Sequence, residues 1–361
     1  MVASILRSAG YRVGLYTSPH LIRFNERITI NSKCISDNDI SAFIETYKED
    51  IDRISSTFFE TTTAMAFTYF ANEKVDFAVV EVGLGGRLDS TNVVAPLVTA
   101  ITPISLDHKD ILGDSLLEIA NEKAGIIKKN IPLIIGCQDK SINTFIHKIA
   151  RQRNSPAIDI EEIKDISLSL DGTHFKTKWG SFVTPLLGYH QAFNAVTAIT
   201  IIKSIDAKID SLAIQKGLLE TVWRGRLQKI SSNLPLYYDV AHNAAGISAM
   251  IETIKSIYGM LPNIVFCLKG DKDIKLISDA LKNNYGKLII TGSSAMELME
   301  AKELSRSIAK YGLSSNIERY DEPNESFSAL IDYIKLTNQP GVIMGSHYIA
   351  KAVFDKFGIF M

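Results

Sequence analysis

One stretch of the chain, residues 77–92, constrains the fold more than any other. It opens with the apolar run Phe77-Ala-Val-Val, continues with a carboxylate at Glu81, and goes on to glycines, an arginine and small polar residues. A continuous apolar run of this kind predicts a strand buried on both faces of a parallel sheet. Ligands of such sheets bind beyond the carboxyl ends of the strands, where Glu81 falls. A carboxylate followed by glycines at that place suits a magnesium ion held beside a phosphate group.

Further apolar runs alternate with helical patterns along the chain, which predicts α/β domains with mainly parallel sheets. The runs with strand character are residues 98–104, 131–135, 236–240, 264–268, 288–291 and 342–344. Between the two sets, segment 159–185 alternates apolar and polar residues around Asp171-Gly172. That pattern predicts antiparallel hairpins with a turn at Asp171-Gly172, and a helix is expected to follow over residues 191–204.

Length and composition describe a globular protein of two domains. The 361 residues exceed one ordinary core, and a new strand–helix series begins just beyond Arg226, so we expect domains over residues 1–224 and 225–361. Lysine and arginine (39) nearly balance aspartate and glutamate (40). With a net charge this close to zero, the protein has no overall electrostatic attraction for nucleic acid or an anionic membrane. We therefore expect neither as a partner and expect small-molecule substrates instead.

The cysteines indicate the compartment. Cys34, Cys137 and Cys267 are far apart in the sequence and show no metal-ligand spacing. Reduced thiols of this kind are typical of a cytoplasmic protein. We see no signal-peptide pattern and no apolar stretch long enough to cross a bilayer. The sequence therefore predicts a cytoplasmic protein.

A helix that begins near Ser115 places a lysine among apolar residues. Ser115 followed three residues later by Glu118 is a capping-box signature. On a helical wheel Lys123 then falls in the stripe formed by Leu116, Ile119, Ala120 and Ile127. A lysine that points inward is unfavourable unless it is paired, deprotonated or modified. The pattern alone leaves these possibilities open beside an ordinary lysine whose ammonium group reaches water.

Residues 81–92, E-V-G-L-G-G-R-L-D-S-T-N, resemble a motif of the folylpolyglutamate synthase/dihydrofolate synthase family almost residue for residue. That family belongs to the Mur ligase superfamily of ATP-dependent amide-forming enzymes. Further segments match its motifs in the family's order: S-P-H-L at 18–21, S-L-D-H at 105–108, E-K-A-G-I at 122–126, H-Q-A-F-N-A at 190–195, G-R-L-Q at 225–228, D-V-A-H-N at 239–243, D-K-D at 271–273 and G-S-H at 345–347. The resemblance implies a Mur-ligase-like α/β fold, with a central ATPase-type parallel-sheet domain and a C-terminal Rossmann-like domain.

The resemblance also implies two magnesium ions and a modified lysine. Ser18 and Glu81 correspond to ligands of the first ion, and Glu81, His108 and Lys123 to ligands of the second. In this family the lysine of E-K-A-G-I is carboxylated by carbon dioxide, and the carbamate ligates magnesium. A carbamate turns an unfavourable inward cation into an oxygen donor for a hard metal. Because only an uncharged amine reacts with carbon dioxide, an apolar setting that lowers the pKa of Lys123 should help.

The remaining motifs imply the nucleotide and substrate contacts. ATP is expected to meet Gln191, Asn194, Arg226, Asp239 and His242. Of these, Arg226 corresponds to a phosphate contact, since its fork pairs with phosphate oxygens, Asp239 to a contact with the ribose or base, and His242 to a residue near the phosphates. The implied substrate-binding residues are Asp89, Asp271, Lys272, Ser346 and His347, the last two in the amino-acid pocket.

The activity implied is ATP-dependent ligation of L-glutamate to dihydropteroate or to folates through an acyl phosphate, by a monomeric enzyme with Glu81, His108 and Lys123 as catalytic residues. Whether the chain makes dihydrofolate, extends folates or does both stays open. Another amino-acid ligase of the superfamily and a non-catalytic remnant are the alternatives.

One family motif, the phosphate-binding loop T-N-G-K-G-S/T, does not occur in the sequence. Residues 1–11 resemble the remainder of the helix that follows this loop. We expect Met1 to be an internal residue of a longer protein that carries the first strand and the loop upstream. The chain without that loop is not expected to be a fully active ligase.

Overall fold

The computed structural model describes residues 1–136, 139–205, 208–270, 272–313 and 317–359. Contacts divide the chain into two compact units. The first comprises residues 1–165, 175–184 and 192–221, and the second comprises 166–174, 185–191 and 222–361. The predicted boundary between residues 224 and 225 remains a prediction. None of the helices in the described ranges is both long and apolar enough to cross a membrane.

Strands and helices alternate through both units. The strands are β1 (Val13–Tyr16), β2 (Ile28–Ile30), β3 (Lys33–Cys34), β4 (Phe77–Val80), β5 (Thr99–Ile101), β6 (Leu133–Ile135), β7 (Ala157–Asp159), β8 (Lys164–Ser169), β9 (Gly172–Thr177), β10 (Gly180–Thr184), β11 (Gln228–Lys229), β12 (Leu236–Asp239), β13 (Asn263–Phe266), β14 (Leu288–Ile290), β15 (Ile317–Arg319) and β16 (Gly341–Met344). The α-helices are α1 (Val2–Ser8), α2 (Asp37–Ile54), α3 (Phe58–Asn72), α4 (Lys109–Leu112), α5 (Leu116–Lys123), α6 (Lys140–Gln152), α7 (Tyr189–Ser204), α8 (Ser211–Leu219), α9 (Ala244–Tyr258), α10 (Ile274–Leu281), α11 (Ala301–Ala309), α12 (Pro323–Thr337) and α13 (Ala350–Phe357).

The first unit contains two sheets. One has the order β3-β2-β1-β4, in which β1 runs parallel to β4 with Tyr16 opposite Val80. The other is the parallel sheet β5-β6-β7. The prediction that the Phe77 run is buried on both faces is wrong, because Ala78 is exposed and its neighbours are half-buried. The reason is that β4 lies at the edge of its sheet, with β1 as its partner among the described strands.

Helix α5 carries the predicted capping box. The Glu118 N–H donates to Ser115 Oγ (3.3 Å), and the Ser115 N–H donates to Glu118 Oε2 (2.9 Å), which confirms the predicted helix start. Ile119 and Ala120 are buried, and Ala120 belongs to the core that also includes residues of β5 and β6. Lys123, at the last position of the helix, is half-buried beside this core.

The predicted hairpin region is confirmed as the antiparallel segments β8, β9 and β10, which form one sheet in the order β10-β9-β8. The first turn consists of Leu170 and Asp171, one residue earlier than predicted. Neither Cys34 nor Cys267 forms a disulfide. Cys137 lies outside the described residues.

The second unit is built on a six-stranded sheet with the order β11-β12-β16-β13-β14-β15. All its pairs are parallel except β11 with β12. Every residue of β12, β13, β14 and β16 is buried, as expected for apolar runs in the middle of a parallel sheet. In register, Met344 of β16 lies between Asp239 of β12 and Phe266 of β13. The carboxyl ends of these three strands therefore meet at one edge.

Candidate active site

Two predicted metal ligands of the first unit lie together. Since β1 and β4 are adjacent and parallel, the segments that follow them leave the sheet side by side. The Glu81 N–H donates to Tyr16 O (2.9 Å) and so continues the ladder. The Ser18 N–H donates to Glu81 Oε2 (2.9 Å). The contact joins the S-P-H-L segment to the carboxylate that ends β4.

The glycine loop after Glu81 is closed by Asp89. The Asp89 carboxylate accepts the N–H of Gly83 (3.1 Å) and of Leu84 (3.0 Å), and it also accepts the N–H of Thr91 (2.9 Å) and the Thr91 hydroxyl. Both oxygens are thus engaged within the loop. The predicted contact of Asp89 with substrate stays a prediction. These hydrogen bonds show that Asp89 closes the glycine loop.

Lys123 has the electrostatic setting that the modification requires. Burial lowers the pKa of the Lys123 ammonium group, and the nearby Asp107 carboxylate opposes this effect. Sequence reasoning did not single out Asp107, although it directly precedes the predicted ligand His108. Asp107 Oδ1 accepts the His108 N–H (2.9 Å), and His108 is exposed with a left-handed φ of 51°. Asp107 therefore acts on Lys123 by its charge and accepts a hydrogen bond from the backbone of the predicted histidine ligand.

The donor set fits magnesium in kind. Within the described residues, no group of three or more His, Cys, Asp and Glu side chains is placed to hold a metal ion. The predicted set contains only two such side chains, Glu81 and His108, and its other donors are the Ser18 hydroxyl and a carbamate on Lys123. Oxygen donors of this kind suit a hard cation. The depressed pKa of Lys123 favours the neutral amine from which a carbamate forms.

In the second unit, Asp239 organises the turn that carries Arg226. The Asp239 side chain is buried at the end of β12, where Oδ2 accepts the Leu227 N–H (2.8 Å) and Oδ1 accepts the Ala241 N–H (2.7 Å). Burial raises the pKa of the Asp239 carboxyl, and the Arg226 charge and these N–H groups oppose the rise. Leu227 adopts a left-handed φ of 40°. The predicted contact of Asp239 with the ribose or base stays a prediction.

His242 and Asn243 directly precede helix α9. His242 Nδ1 donates to Val240 O (2.9 Å), which assigns the proton on that ring nitrogen. Asn243 Oδ1 accepts the Gly246 N–H (2.9 Å) and caps the helix. Backbone N–H groups at such a helix start favour an anion, which agrees with the predicted place of His242 near phosphates.

Helix α7 carries the other predicted nucleotide residues. Gln191 is buried and its Nε2 donates to His190 Nε2 (3.0 Å). Asn194 lies one turn further along the same helix and is half-buried. Their expected contacts with ATP remain predictions.

The predicted amino-acid residues lie beyond the end of β16. Ser346 is buried; its Oγ accepts the Tyr348 N–H (3.1 Å), and its carbonyl oxygen accepts the Tyr238 hydroxyl (3.0 Å). The His347 and Tyr348 rings are in contact, with centroids 4.2 Å apart. The Lys269 ammonium group donates to the Tyr348 hydroxyl (3.1 Å). Sequence reasoning missed both tyrosines, because nothing local distinguishes them from core aromatics.

The D-K-D segment follows β13 at the same edge of the sheet. Lys272 is half-buried, and Asp273 caps helix α10 by accepting the Leu276 N–H (3.1 Å). Asp271, also predicted to bind substrate, lies outside the described residues.

Comparisons with known proteins agree with this arrangement. The Mur ligase middle domain family matches residues 29–202, and the Mur ligase glutamate ligase domain family matches residues 225–347. The dihydrofolate synthase/folylpolyglutamate synthase of Bacillus subtilis is 33% identical, over 96% of this chain and 84% of that protein. The folylpolyglutamate synthase of Lacticaseibacillus casei is 31% identical, over 98% of this chain and 85% of that protein. The structure of Mycobacterium tuberculosis folylpolyglutamate synthase complexed with ADP and AMPPCP is similar with a TM-score of 0.90 at 30% identity, over 99% of this chain and 88% of that one.

Fold, site and comparisons together define a Mur ligase, an ATP-dependent ligase with a middle domain and a C-terminal glutamate ligase domain. The predicted α/β fold class is confirmed. Within that class, the chain belongs to the folylpolyglutamate synthase/dihydrofolate synthase family.

Proposed function

We propose that this protein joins L-glutamate to dihydropteroate, to folates or to both, with ATP as co-substrate. The relatives' names supply the substrate class. One observation carries the assignment of the site, namely the 2.9 Å hydrogen bond from the Ser18 N–H to Glu81 Oε2. It brings a hydroxyl-bearing segment and a carboxylate to the carboxyl ends of two adjacent parallel strands, where ligands of such sheets bind.

The reaction proceeds in two steps. An oxygen of the folate-type carboxylate attacks the γ-phosphorus of ATP, which forms an acyl phosphate and releases ADP. The α-amine of glutamate then attacks the acyl carbon, loses a proton and expels inorganic phosphate, leaving an amide. Arg226 faces phosphate oxygens in this proposal, and Ser346 and His347 hold the incoming glutamate. Since an acyl phosphate hydrolyses readily, the site must exclude water during both steps.

Two magnesium ions complete the proposed site. Ser18 and Glu81 hold one, and Glu81, His108 and carbamylated Lys123 hold the other. When bound, the ions neutralise charge on the phosphoryl and acyl phosphate groups. The carbamate forms when the neutral Lys123 Nζ attacks the carbon of carbon dioxide and releases one proton. The lowered pKa of this amine supports the assignment.

We further propose that the protein acts as a cytoplasmic monomer. The exposed Cys34 thiol, which forms no disulfide, supports a reducing compartment. The near balance of basic and acidic residues supports small-molecule partners. Gel filtration with light scattering tests the monomer.

The test is glutamate-dependent ADP release with dihydropteroate and, separately, with tetrahydrofolate. It is run on this chain and on a version extended upstream through the expected phosphate-binding loop, with Glu81→Gln as the matched inactive control. Activity with one substrate assigns dihydrofolate synthase or folylpolyglutamate synthase, and activity with both assigns a bifunctional enzyme. Folded protein that binds ATP but releases no ADP in either version would refute the proposal and leave a non-catalytic remnant.

A further inference from the structure

The backbone of the glycine loop lies directly on the segment that carries Lys123. The Arg87 N–H donates to Glu122 O (2.9 Å). A Cβ atom added to Gly125 would stand only 2.3 Å from Arg87 Cα, and one added to Gly86 would stand 2.9 Å from Glu122 O. Real Cβ atoms do not approach other atoms so closely, so the two glycines permit a contact that any side chain would prevent.

Two side chains fasten this contact. Arg87 Nε donates to both oxygens of the Glu122 carboxylate, at 3.1 and 3.2 Å. Asn92 Nδ2 donates to Arg87 O (3.1 Å) and to Gly125 O (3.3 Å), so a single amide group bridges the loop and the lysine segment. Glu122 is about three-quarters buried, with 23% of its side chain exposed, and solvent therefore screens its pairing with Arg87 only in part.

Both partners of this contact are anchored elsewhere as well. On the loop side, Asp89 holds the N–H groups of Gly83 and Leu84, close to Glu81 in the chain. On the lysine side, Arg153 Nη1 donates to Ile127 O (2.6 Å). Neither segment can shift far without breaking several hydrogen bonds.

We propose that Arg87 and Asn92 are positioning residues. They hold the glycine loop against the 122–125 segment and thereby fix the position of Lys123 relative to Glu81. The inference rests on the proposed function, because it concerns the separation of two proposed magnesium ligands. Neither side chain touches the ion or the substrate in this assignment. Their effect reaches the metal through the backbone of residues 81–92 and 122–125.

The experiment compares Asn92→Ala and Arg87→Lys with the control Arg53→Ala. Arg53 also pairs with a carboxylate, Asp50, but on the exposed helix α2. Each purified protein is incubated with ¹³C-bicarbonate, and the carbamate is measured by ¹³C NMR. Binding of Mn²⁺, a probe for a magnesium-type oxygen site, is then measured by EPR. Thermal unfolding and circular dichroism show that each variant is folded.

Loss of a residue that orients metal ligands typically costs about 10–100-fold in metal affinity, so we expect Asn92→Ala to weaken Mn²⁺ binding at least about tenfold and to reduce the carbamate signal. Arg87→Lys keeps the charge and the backbone hydrogen bond to Glu122 but loses the guanidinium pairing with both carboxylate oxygens. Its Mn²⁺ affinity and carbamate signal should lie between those of wild type and Asn92→Ala. Arg53→Ala should match wild type. Wild-type values in folded Asn92→Ala and Arg87→Lys would overturn the inference. Wild-type protein with neither carbamate nor Mn²⁺ binding would instead refute the proposed metal site itself.

Discussion

Removing the Asp89 carboxylate tests whether this residue shapes the loop or binds substrate. In Asp89→Ala, four donors lose their acceptor: the N–H groups of Gly83, Leu84 and Thr91 and the Thr91 hydroxyl. The Thr91 N–H bond is an N-cap of the short helical turn over Ser90–Val93. The variant should therefore open the loop that leads away from Glu81, even before any ligand is bound.

The magnitude follows from these bonds. Loss of a cap costs about 1 kcal/mol, and each of the two glycine-loop hydrogen bonds contributes about 0.5–1.5 kcal/mol net, so Asp89→Ala should lower the free energy of unfolding by about 2–4 kcal/mol. With a urea dependence of about 2 kcal/mol per molar, the unfolding midpoint should fall by about 1–2 M. Asparagine caps about as well as aspartate. Asp89→Asn should therefore retain the cap and lose only part of the loop closure.

Urea unfolding followed by circular dichroism makes the measurement. The matched control is Asp139→Ala, since Asp139 also caps a helix and accepts from the N–H and hydroxyl of the residue two positions on. Among the described residues, the Asp139 carboxylate accepts hydrogen bonds from the first turn of helix α6 alone, and its removal should shift the midpoint less. If Asp89→Ala unfolds like wild type while the KM for the folate substrate rises, Asp89 serves the substrate and the loop argument is refuted.

Three further outcomes are expected. Because the pKa of Lys123 is lowered and only its neutral amine reacts, the ¹³C carbamate signal in bicarbonate should rise as the pH rises through that pKa; a pH-independent signal would contradict this. Burial raises the pKa of Asp239, so its contribution to stability is present below its usual pKa of 3.8 and is lost as the pH rises through the raised value; the urea midpoint of wild type relative to that of Asp239→Asn should therefore fall as the pH rises above 3.8, and a constant difference would contradict this. Lys287→Met breaks the 2.8 Å ion pair of a buried lysine with Glu318 and should cost about 1–3 kcal/mol in the same assay, whereas an unchanged midpoint would show that the pair contributes nothing.

Much of the fold could be predicted because its strands and helices depend on local sequence patterns. The apolar runs near residues 236, 264, 288 and 342 are the four central strands of the second unit, buried throughout. Their burial on both faces produces the uninterrupted hydrophobic sequence from which they were predicted. The Ser115 capping box likewise depends on residues three apart, so the helix start was visible in the sequence.

The predictions failed where the outcome depends on distant neighbours. The Phe77 run resembles a central strand, yet its exposure is set by its position at the edge of the sheet. Asp107 gave no signal of its own, because its charge acts on Lys123 through space and not at a helical or strand spacing in the sequence. The partners of Asp239 belong to two separate turns, one of which carries Leu227 in a left-handed conformation. No spacing in the chain specifies such contacts.

By itself, the sequence determined which strands and helices form, the order of the motifs, and through them the family and the class of reaction. The strands and helices follow from periodicity and caps, which act over a few positions, whereas the family and the class of reaction follow from the resemblance of the motifs. Only the tertiary structure decided that Asp89 closes the glycine loop, that Arg87 and Asn92 fasten this loop to the segment of Lys123, and that Tyr238 holds the Ser346 carbonyl. The physical reason is that hydrogen-bond partners are selected by distance and angle in space, and the chain brings these groups together only when its sheets have formed.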